Sequence, residues 1–546
     1  MPRLSESTMI PQHANHNQRP ILRRSCLVLI QWFLFAGILE AQVQFPWFPD
    51  SGLAVTYKQA AVKNVLAAVN PGVFFGYWSV CADGQGFGYG NTYPSLDGHQ
   101  LTDALLWLGQ ADVVEANWNY VRSFQRQDGL LPLAILPSFA GKMIGPDSMQ
   151  SRVDLNGGLY RHWVPGNPLE ATASITYIQN ADVIFRYTLD TQWLETQLPS
   201  INLAADYLDS LTTKSGAVRG CGYYVERPTR IESDGVTQCY AVDALRRVAA
   251  LNRKMRFRER EQRYDRLADR IQLHFTSVFW ARDHFGEYLH PQRGLISNHG
   301  LTDVDWAAIA TGIATAEQRS ILWPKLKDEN RFHYGGMPTG IATLPETYET
   351  WEFTTPDRHD LAAMGRAWYL EAWARSCMGD SAGLLDGLRK VSQVGRENGF
   401  SWHERYQPDR NGGFLAAGPD TYCEYPANLI RIVQRFVLGV DLRLDGSVVI
   451  APVVTREFWQ KGFGQTLAWR GRSLQYGMTI DSVGGSYAGS SSQRIGVRLT
   501  PHPGSTGIRA TIEGRPVPAE QVDGLTFITL PASQREGSCR FTLVRY

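Results

Sequence analysis

The 546-residue sequence has almost no net charge, few cysteines and few long apolar runs. Its formal charge is +1, so no excess of one sign attracts the chain to nucleic acid or to an anionic membrane surface. The seven cysteines include no pair with the short spacing of a zinc knuckle or a redox motif. Cys221 and Cys239 are the most local pair for a disulfide, and buried free thiols are the alternative.

The motifs of several large enzyme classes are also missing. The chain has no phosphate-binding loop, no dinucleotide-binding glycine fingerprint and no Gly-x-Ser-x-Gly elbow around a nucleophilic serine. Its twelve histidines form no two-histidine metal motif on a helix. We therefore expect no cofactor and no catalytic metal. Calcium in a loop would leave no signal in this sequence, and the oligomeric state leaves none either.

The N-terminus carries the pattern of a secretory signal. Arg19, Arg23 and Arg24 precede an apolar run at residues 26–39, and Ala41 offers a small residue for cleavage. The run is short for a bilayer span. We expect residues 1–41 to be a signal peptide and the mature protein to be secreted or periplasmic, with no membrane contact afterwards. An uncleaved membrane anchor is the alternative.

Residues 42–438 read as helices joined by connections of very unequal length. Leucines at 101, 105 and 108 repeat with the 3.6-residue period of a helix buried on one face. The predicted helices begin near Tyr57, Gly98, Ala111, Leu169, Trp193, Val236, Glu259, Leu301, Thr315, Arg358, Ser381 and Tyr425. Long connections fall at residues 72–96, 134–168, 215–237, 282–300, 331–357 and 399–424. Twelve helices and six long connections predict a mainly α fold, an (α/α)6 toroid of six helical hairpins with the long connections on one face.

Residues 439–546 have a different texture. Short runs of alternating apolar and polar residues are separated by Gly, Pro and Ser, as in antiparallel strands. Residues 440–452 alternate apolar and polar residues around a turn at Asp445-Gly446. The strand-like runs that follow are residues 467–469, 473–480, 494–499, 507–512, 525–530 and 539–544. They predict a C-terminal all-β, sandwich-like domain that packs against the helices.

Acidic residues beside aromatic side chains occur in the long connections. Hydrolysis of a glycosidic bond needs one carboxylic acid and a second carboxylate, and aromatic faces stack on sugar rings. The four candidates are Asp97, Asp234, Glu352 and Glu404. Trp351 precedes Glu352, and the pair Trp402 and His403 precedes Glu404.

Each candidate also has a purely structural interpretation. Asp97 with Gln100 matches a capping box at a helix start, and Asp234 with Gly235 matches a turn or a helix cap. Glu352 fits one solvated helical turn, and Glu404 fits an ion pair with a neighbouring arginine. These alternatives stay open at the level of sequence.

Three short segments resemble motifs of the six-hairpin glycoside hydrolases. Residues 335–352 are similar to the Gly-Gly-x-Pro-Ser, Pro-x-Tyr, Tyr-Trp-Arg-Gly series of inverting glucosidase I and trehalase-type enzymes. Residues 403–412 resemble their Glu-x-Tyr-x-Pro…Gly base motif, and residues 233–234 fall where they carry the acid. Glu352 and Phe353 replace their Arg-Gly. The Trp-Glu pair at 351–352 is instead similar to the base motif of α-L-rhamnosidases, in the same superfamily, where Asp97 also matches an Asp.

This resemblance implies an exported, inverting glycoside hydrolase acting on an oligosaccharide or glycoside, with carbohydrate as its partner. Asp234 would be the general acid and Glu404 the general base, with Glu352 as the alternative base. The residues expected to line the sugar subsite are Asp97, His99, Tyr348, Trp351, Trp402 and His403. The alternatives are a glycoside phosphorylase, a polysaccharide lyase that uses Tyr and His, and a non-catalytic glycan-binding protein.

Overall fold

The computed structural model describes residues 44–69, 78–82, 98–132, 138–139, 142–143, 170–219, 233–334, 336–352, 361–408, 414–499, 507–533 and 537–545. The predicted signal peptide, residues 1–41, lies outside the described residues, and so do Asp97 and Cys221. Within the described part, five cysteines are free thiols, and Cys239 is one of them.

Twelve helices of the described chain alternate between an outer and an inner layer. The outer helices are α1 (Ser51–Gln59, continued by a π-helical turn, Ala60–Val65), α3 (Ala111–Arg122), α5 (Thr191–Ser210), α7 (Arg258–Val278), α9 (Ala316–Leu326) and α11 (Ser381–Glu397). The inner helices are α2 (Gly98–Trp107), α4 (Glu170–Thr188), α6 (Gly235–Lys254), α8 (Asp303–Ala310), α10 (Gly365–Cys377) and α12 (Glu424–Ile432, continued by Val433–Val437). Each inner helix packs on the next, and α12 packs on α2, which closes the ring.

Burial distinguishes the two layers. Every residue of α8 and of α12 is buried, because an inner helix has neighbours on all sides. The outer helix α7 buries only one stripe and exposes its many charged residues. That stripe is Tyr264, Leu267, Ala268, Ile271 and Phe275. The predicted (α/α)6 toroid is therefore confirmed.

The tenth helix begins later than its sequence pattern predicts. The sequence predicts its start near Arg358, but α10 begins at Gly365. Ala363 and Met364 instead form a strand, β5, that pairs with Arg405 and Tyr406. Those backbone groups are committed to a sheet, so the helix can start only after them. Residues 353–360 lie outside the described part. Apart from α1 and α10, the other ten of these twelve helices begin within two residues of their predicted starts.

The small strands of the helical part lie in the connections. They are β1 (Ser138–Phe139) with β2 (Lys142–Met143), β3 (Tyr288–His290) with β4 (Gly294–Ile296), and β5 (Ala363–Met364) with β6 (Arg405–Pro408) and β7 (Phe414–Ala417). The β3 strand contains Tyr288 of the candidate site described below, and Glu404 of that site directly precedes β6.

The C-terminal part consists of two sheets and one short helix, α13 (Arg456–Lys461). One sheet has the order β10 (Phe463–Trp469), β11 (Arg472–Met478), β12 (Ser482–Ala488), β18 (Cys539–Arg545), β14 (Ile508–Ile512) and β15 (Arg515–Val517). The other has the order β16 (Glu520–Val522), β17 (Leu525–Leu530), β13 (Gln493–Val497), β9 (Val448–Ile450) and β8 (Val440–Leu442). The predicted all-β structure of this region is confirmed, but strands β12, β15 and β16 were not predicted.

Side chains of α4 tie the helices to these sheets. The Arg186 guanidinium donates to the Leu442 carbonyl at 3.4 Å, and the Tyr187 hydroxyl donates to the Ala468 carbonyl at 3.0 Å. The boundary at residues 438–439 stays a prediction.

Candidate active site

The order of helices places the long connections at one face. Residues 66–97, 123–169, 211–234, 279–302, 327–364 and 398–423 each lead from an outer helix into an inner helix. The connections that leave the inner helices are short, for example residues 108–110 and 189–190. The long connections therefore meet the N-terminal ends of the inner ring, where unpaired backbone amides create a positive potential.

Asp234 is the N-cap of inner helix α6 and is fully buried. Its Oδ2 atom accepts hydrogen bonds from the Thr237 amide at 2.9 Å and the Thr237 hydroxyl at 3.0 Å. This is the capping role that the Asp-Gly pattern suggested. The cap holds the carboxylate in one orientation at the N-terminal face of the ring. Its predicted role as general acid stays a prediction.

The β3 strand lies directly beside Asp234. The Gly235 amide donates to the Glu287 carbonyl at 2.9 Å, and the Leu289 amide donates to the Ser233 carbonyl at 2.9 Å. Asp234 and Tyr288 thus face each other as an antiparallel bridge. This backbone pairing brings two connections, residues 211–234 and 279–302, together at the site.

Glu352 lies in a polar cluster and is only 2% exposed. Its Oε1 atom accepts a 2.5 Å hydrogen bond from the Tyr288 hydroxyl and lies 3.3 Å from His299 Nε2. Its Oε2 atom accepts from the Glu349 amide at 2.8 Å. Burial by itself raises the pKa of Glu352, but the contacts with His299, Tyr288 and the Glu349 amide outweigh it and lower that pKa to about 2. Glu352 is therefore a fixed anion.

A second buried carboxylate, Glu287, completes this cluster. Its Oε2 atom lies 2.5 Å from His299 Nδ1 and accepts a 2.6 Å hydrogen bond from the Tyr348 hydroxyl. The Tyr348 ring stacks on the His299 ring, with centroids 3.6 Å apart. We call Glu287, Tyr288, His299, Tyr348 and Glu352 the histidine–carboxylate cluster. The described contacts show that Tyr348 supports Glu287, and its predicted place in the sugar subsite stays a prediction.

Sequence reasoning missed three members of this cluster, namely Glu287, Tyr288 and His299. The available signal was their position in the long connection at 279–302, directly before an inner helix. The residue directly before Glu287 is Gly286, so the pattern of an acid next to a tryptophan did not select Glu287.

Glu404 lies on a different connection, directly before β6. It is 5% exposed, and its Oε2 atom lies 3.6 Å from the Arg405 guanidinium. Its amide donates to the Pro419 carbonyl at 3.1 Å. Gly418 packs against its side chain, and a Cβ atom at Gly418 would collide with Glu404 Oε2. The preceding residue, His403, was predicted to line the sugar subsite. Its Nδ1 atom lies 3.3 Å from the Gly418 carbonyl oxygen. The Arg405 contact matches the structural interpretation, and catalysis by Glu404 stays a prediction.

The two tryptophans predicted to bind sugar have different surroundings. Trp351 is partly exposed, with the Arg293 guanidinium 4.3 Å above its ring and the His290 ring packed edge-on at 5.3 Å. Trp402 is 0% exposed, and its indole donates to the Val391 carbonyl at 3.1 Å. It packs so closely on α11 that Gly395 leaves no room for a Cβ atom. Trp402 is therefore a core residue of the α11 packing, and we leave it out of the proposed sugar site.

His99 lies on the first turn of α2 and lines a cavity of about 210 Å³ inside the helical ring. Asp103, Arg431 and Arg435 also line this cavity and form a buried ion-pair network. The Asp103 carboxylate accepts from Arg435 Nε and Nη2 at 2.6 and 2.7 Å and from Arg431 Nε at 3.1 Å. This network binds α2 to α12 where the ring closes.

The described residues show no metal site and no membrane span. No group of His, Cys, Asp and Glu side chains there is arranged to hold a metal ion. None of the helices in that part of the chain combines the length and the apolar composition of a membrane span.

Comparison with known proteins identifies the fold. No protein-family model matches the chain, and no curated protein matches it in sequence. Solved structures do resemble it. A GH78 family rhamnosidase of Bacillus sp. GL1 superimposes with a TM-score of 0.57 at 14% identity, covering 80% of this chain and 40% of that one.

Two further structures are similar to a comparable degree. The α-L-rhamnosidase of Dictyoglumus thermophilum gives a TM-score of 0.56 at 11% identity, covering 92% of this chain and 50% of that one. A sialidase structure gives a TM-score of 0.60 at 10% identity, covering 81% of this chain and 39% of that one. The chain thus spans half or less of the length of these structures. At these identities the likeness establishes the fold alone, an (α/α)6 toroid with a β domain, as the sequence resemblance implied.

Proposed function

We propose that this protein is a glycoside hydrolase that cleaves an oligosaccharide or glycoside by a single displacement with water. The observation that carries the proposal is the arrangement at the N-terminal face of the inner ring. There Asp234 and the ionised Glu352 lie on connections joined through β3, next to the partly exposed Trp351. Fixed carboxylates beside an aromatic platform suit a sugar whose transition state is positively charged.

Asp234 is the proposed general acid. The α6 cap orients its carboxylate, and proton transfer to the leaving oxygen depends on such a fixed orientation. Glu404, on the connection before α12, is the proposed general base. Glu352 is the rival base that the rhamnosidase resemblance implies.

The low pKa of Glu352 bears on whether it acts as a base or as a fixed negative charge. A carboxylate whose pKa is lowered to about 2 is a weak base, because base strength falls with pKa. The same carboxylate remains negative at every working pH and can stabilise an oxocarbenium-like transition state electrostatically. We therefore assign proton abstraction from water to Glu404 and charge stabilisation to Glu352.

A substrate screen tests the activity itself. The chromogenic panel should contain α-L-rhamnosides, α-glucosides and α-sialosides, together with natural disaccharides. Turnover that requires phosphate would indicate a phosphorylase, and an ultraviolet-absorbing unsaturated product would indicate a lyase. Glycan binding without turnover across the panel would contradict an enzymatic function.

Two variants separate the bases. Glu404→Gln should lower kcat by about 10²–10⁴-fold, since the amide keeps the shape but not the basicity. If Glu404→Gln retains near-normal activity while Glu352→Gln is inactive, Glu352 is the base instead.

The stereochemistry is a separate test: proton NMR early in the reaction should show the inverted anomer first. A retained anomer would contradict the single displacement even if both carboxylates prove essential.

Export is proposed on the pattern at residues 1–41 alone. Expression of the full chain should give a mature protein that begins near Gln42. Mass spectrometry of the N-terminus decides this, and an intact N-terminus in a membrane fraction would contradict it.

A further inference from the structure

His299 is enclosed between two buried carboxylates. The side chains of His299, Glu287 and Glu352 are 1%, 0% and 2% exposed. The two ring nitrogens point to different acids: Nδ1 lies 2.5 Å from Glu287 Oε2, and Nε2 lies 3.3 Å from Glu352 Oε1. The ring therefore spans the distance from the connection before α8 to the connection before α10.

The chemistry of these contacts restricts the protonation of His299. An ionised carboxylate only accepts hydrogen bonds, and a neutral imidazole has one donor nitrogen and one acceptor nitrogen. A neutral ring would aim its lone pair at one of the two carboxylates, which is repulsive in a site with little water. With both carboxylates ionised, both contacts are attractive only when both nitrogens carry hydrogen.

The tyrosines of the cluster already donate to the same carboxylate atoms. Tyr348 donates to Glu287 Oε2, and Tyr288 donates to Glu352 Oε1. Each of these two oxygen atoms thus has one neutral donor and one histidine nitrogen within 3.3 Å. The stacked Tyr348 ring covers one face of the imidazole, so the ring cannot tilt without losing that contact.

We propose that His299 is a buried imidazolium that positions Glu352, with Glu287 and Tyr348 as the groups that fix the imidazolium in turn. In this arrangement Glu287 supplies the second negative charge that stabilises the cation, and the cation aligns the Glu352 carboxylate toward the sugar site. His299 is a positioning residue because it acts through Glu352. The inference rests on the proposed function for its effect on turnover, but not for the protonation state.

Nitrogen NMR of the full chain with ¹⁵N-labelled histidine tests the protonation state directly. Protonated and unprotonated ring nitrogens resonate in separate ranges, and the His299→Gln spectrum assigns the signals. Both His299 nitrogens should stay protonated between about pH 5 and 8, where a free histidine changes charge. His333 is an internal comparison in the same spectrum, since its Nδ1 atom lies 2.7 Å from Lys390 Nζ and not beside a carboxylate. An unprotonated His299 nitrogen at neutral pH would overturn the imidazolium.

Kinetics test the positioning. His299→Gln should lower kcat by about 10²-fold with a small change in KM, the scale of a misplaced catalytic group. The double variant with Glu352→Gln should be no worse than Glu352→Gln alone, because both changes disable the same group. Tyr348→Phe removes one hydrogen bond from Glu287 and should give a smaller loss in kcat without unfolding the site.

His333→Gln is the matched control. It also removes a histidine near a buried carboxylate, with Nε2 3.5 Å from Glu371 Oε1, and should leave kcat unchanged. Near-normal turnover of His299→Gln, or additive losses in the double variant, would refute the positioning role. A wild-type chain with no glycosidase turnover would contradict the proposed function, and the NMR result would still decide the protonation state.

Discussion

Replacement of Asp103 by Asn should destabilise the protein more than any single change at its surface. Asp103 is 4% exposed at the side chain and accepts from two guanidinium groups, those of Arg431 and Arg435. Asn has nearly the same shape but no charge, so the variant leaves two cations in the ring without their partner. Removal of one member of a buried ion pair costs about 3–5 kcal/mol, out of a total stability of about 5–15 kcal/mol.

The pH dependence has a definite sign. Burial by itself raises the pKa of Asp103, but Arg435 and Arg431 lower it from 3.8 to about 2. The unfolded chain therefore takes up a proton before the folded chain does as the pH falls. The stabilisation is fully present above the unfolded pKa of 3.8 and is lost as the pH falls toward about 2. The difference in the free energy of unfolding between wild type and Asp103→Asn should be constant above pH 3.8 and should shrink as the pH falls below it.

Unfolding in guanidinium chloride, followed by far-ultraviolet circular dichroism, measures this difference in the free energy of unfolding. Glu520→Gln is the matched control, because it breaks an exposed pair with Arg494 at 2.7 Å, where the loss should be about 0–1 kcal/mol. If Asp103→Asn costs no more than this control, the buried network does not hold α2 to α12 as we describe.

Three further changes probe the site. Gly418→Ala pushes a methyl group into the Glu404 carboxylate and should lower kcat. Gly399→Ala is the control, because the space around it is open and its kcat should not change. Full turnover of both variants at equal folded content would contradict the role of Glu404. Trp351→Ala should raise KM with little change in kcat, measured by initial rates, because a stacking platform binds ground and transition states alike. Asp234→Asn preserves the α6 cap and should lose turnover without losing stability, while Asp234→Ala should also lose about 1 kcal/mol in thermal unfolding. An active Asp234→Asn enzyme would exclude it as the general acid.

Local patterns in the sequence were sufficient for the architecture. The helical period, the positions of Gly and Pro, and the alternation of long and short connections are all properties of neighbouring residues, so the toroid and the β domain were predictable. The departures occur where distant strands compete with a local preference. The segment before Gly365 has helical composition, but Ala363 and Met364 pair with β6 instead. The β12 strand was missed because Gly484 and Gly485 weaken its apolar alternation.

The candidate site depends even more on contacts between residues that are distant in sequence. Glu352 and Glu404 could be named from their aromatic neighbours in sequence, yet the surroundings of each side chain could not. The Tyr288 hydroxyl meets Glu352 across 64 positions of chain, and Trp402 is enclosed by a helix that precedes it. Sequence composition alone does not reveal such contacts, because they depend on which connections the closed ring brings to one face. The tertiary structure alone decided that His299 lies between two carboxylates, since the residues on either side belong to separate connections before α8 and α10.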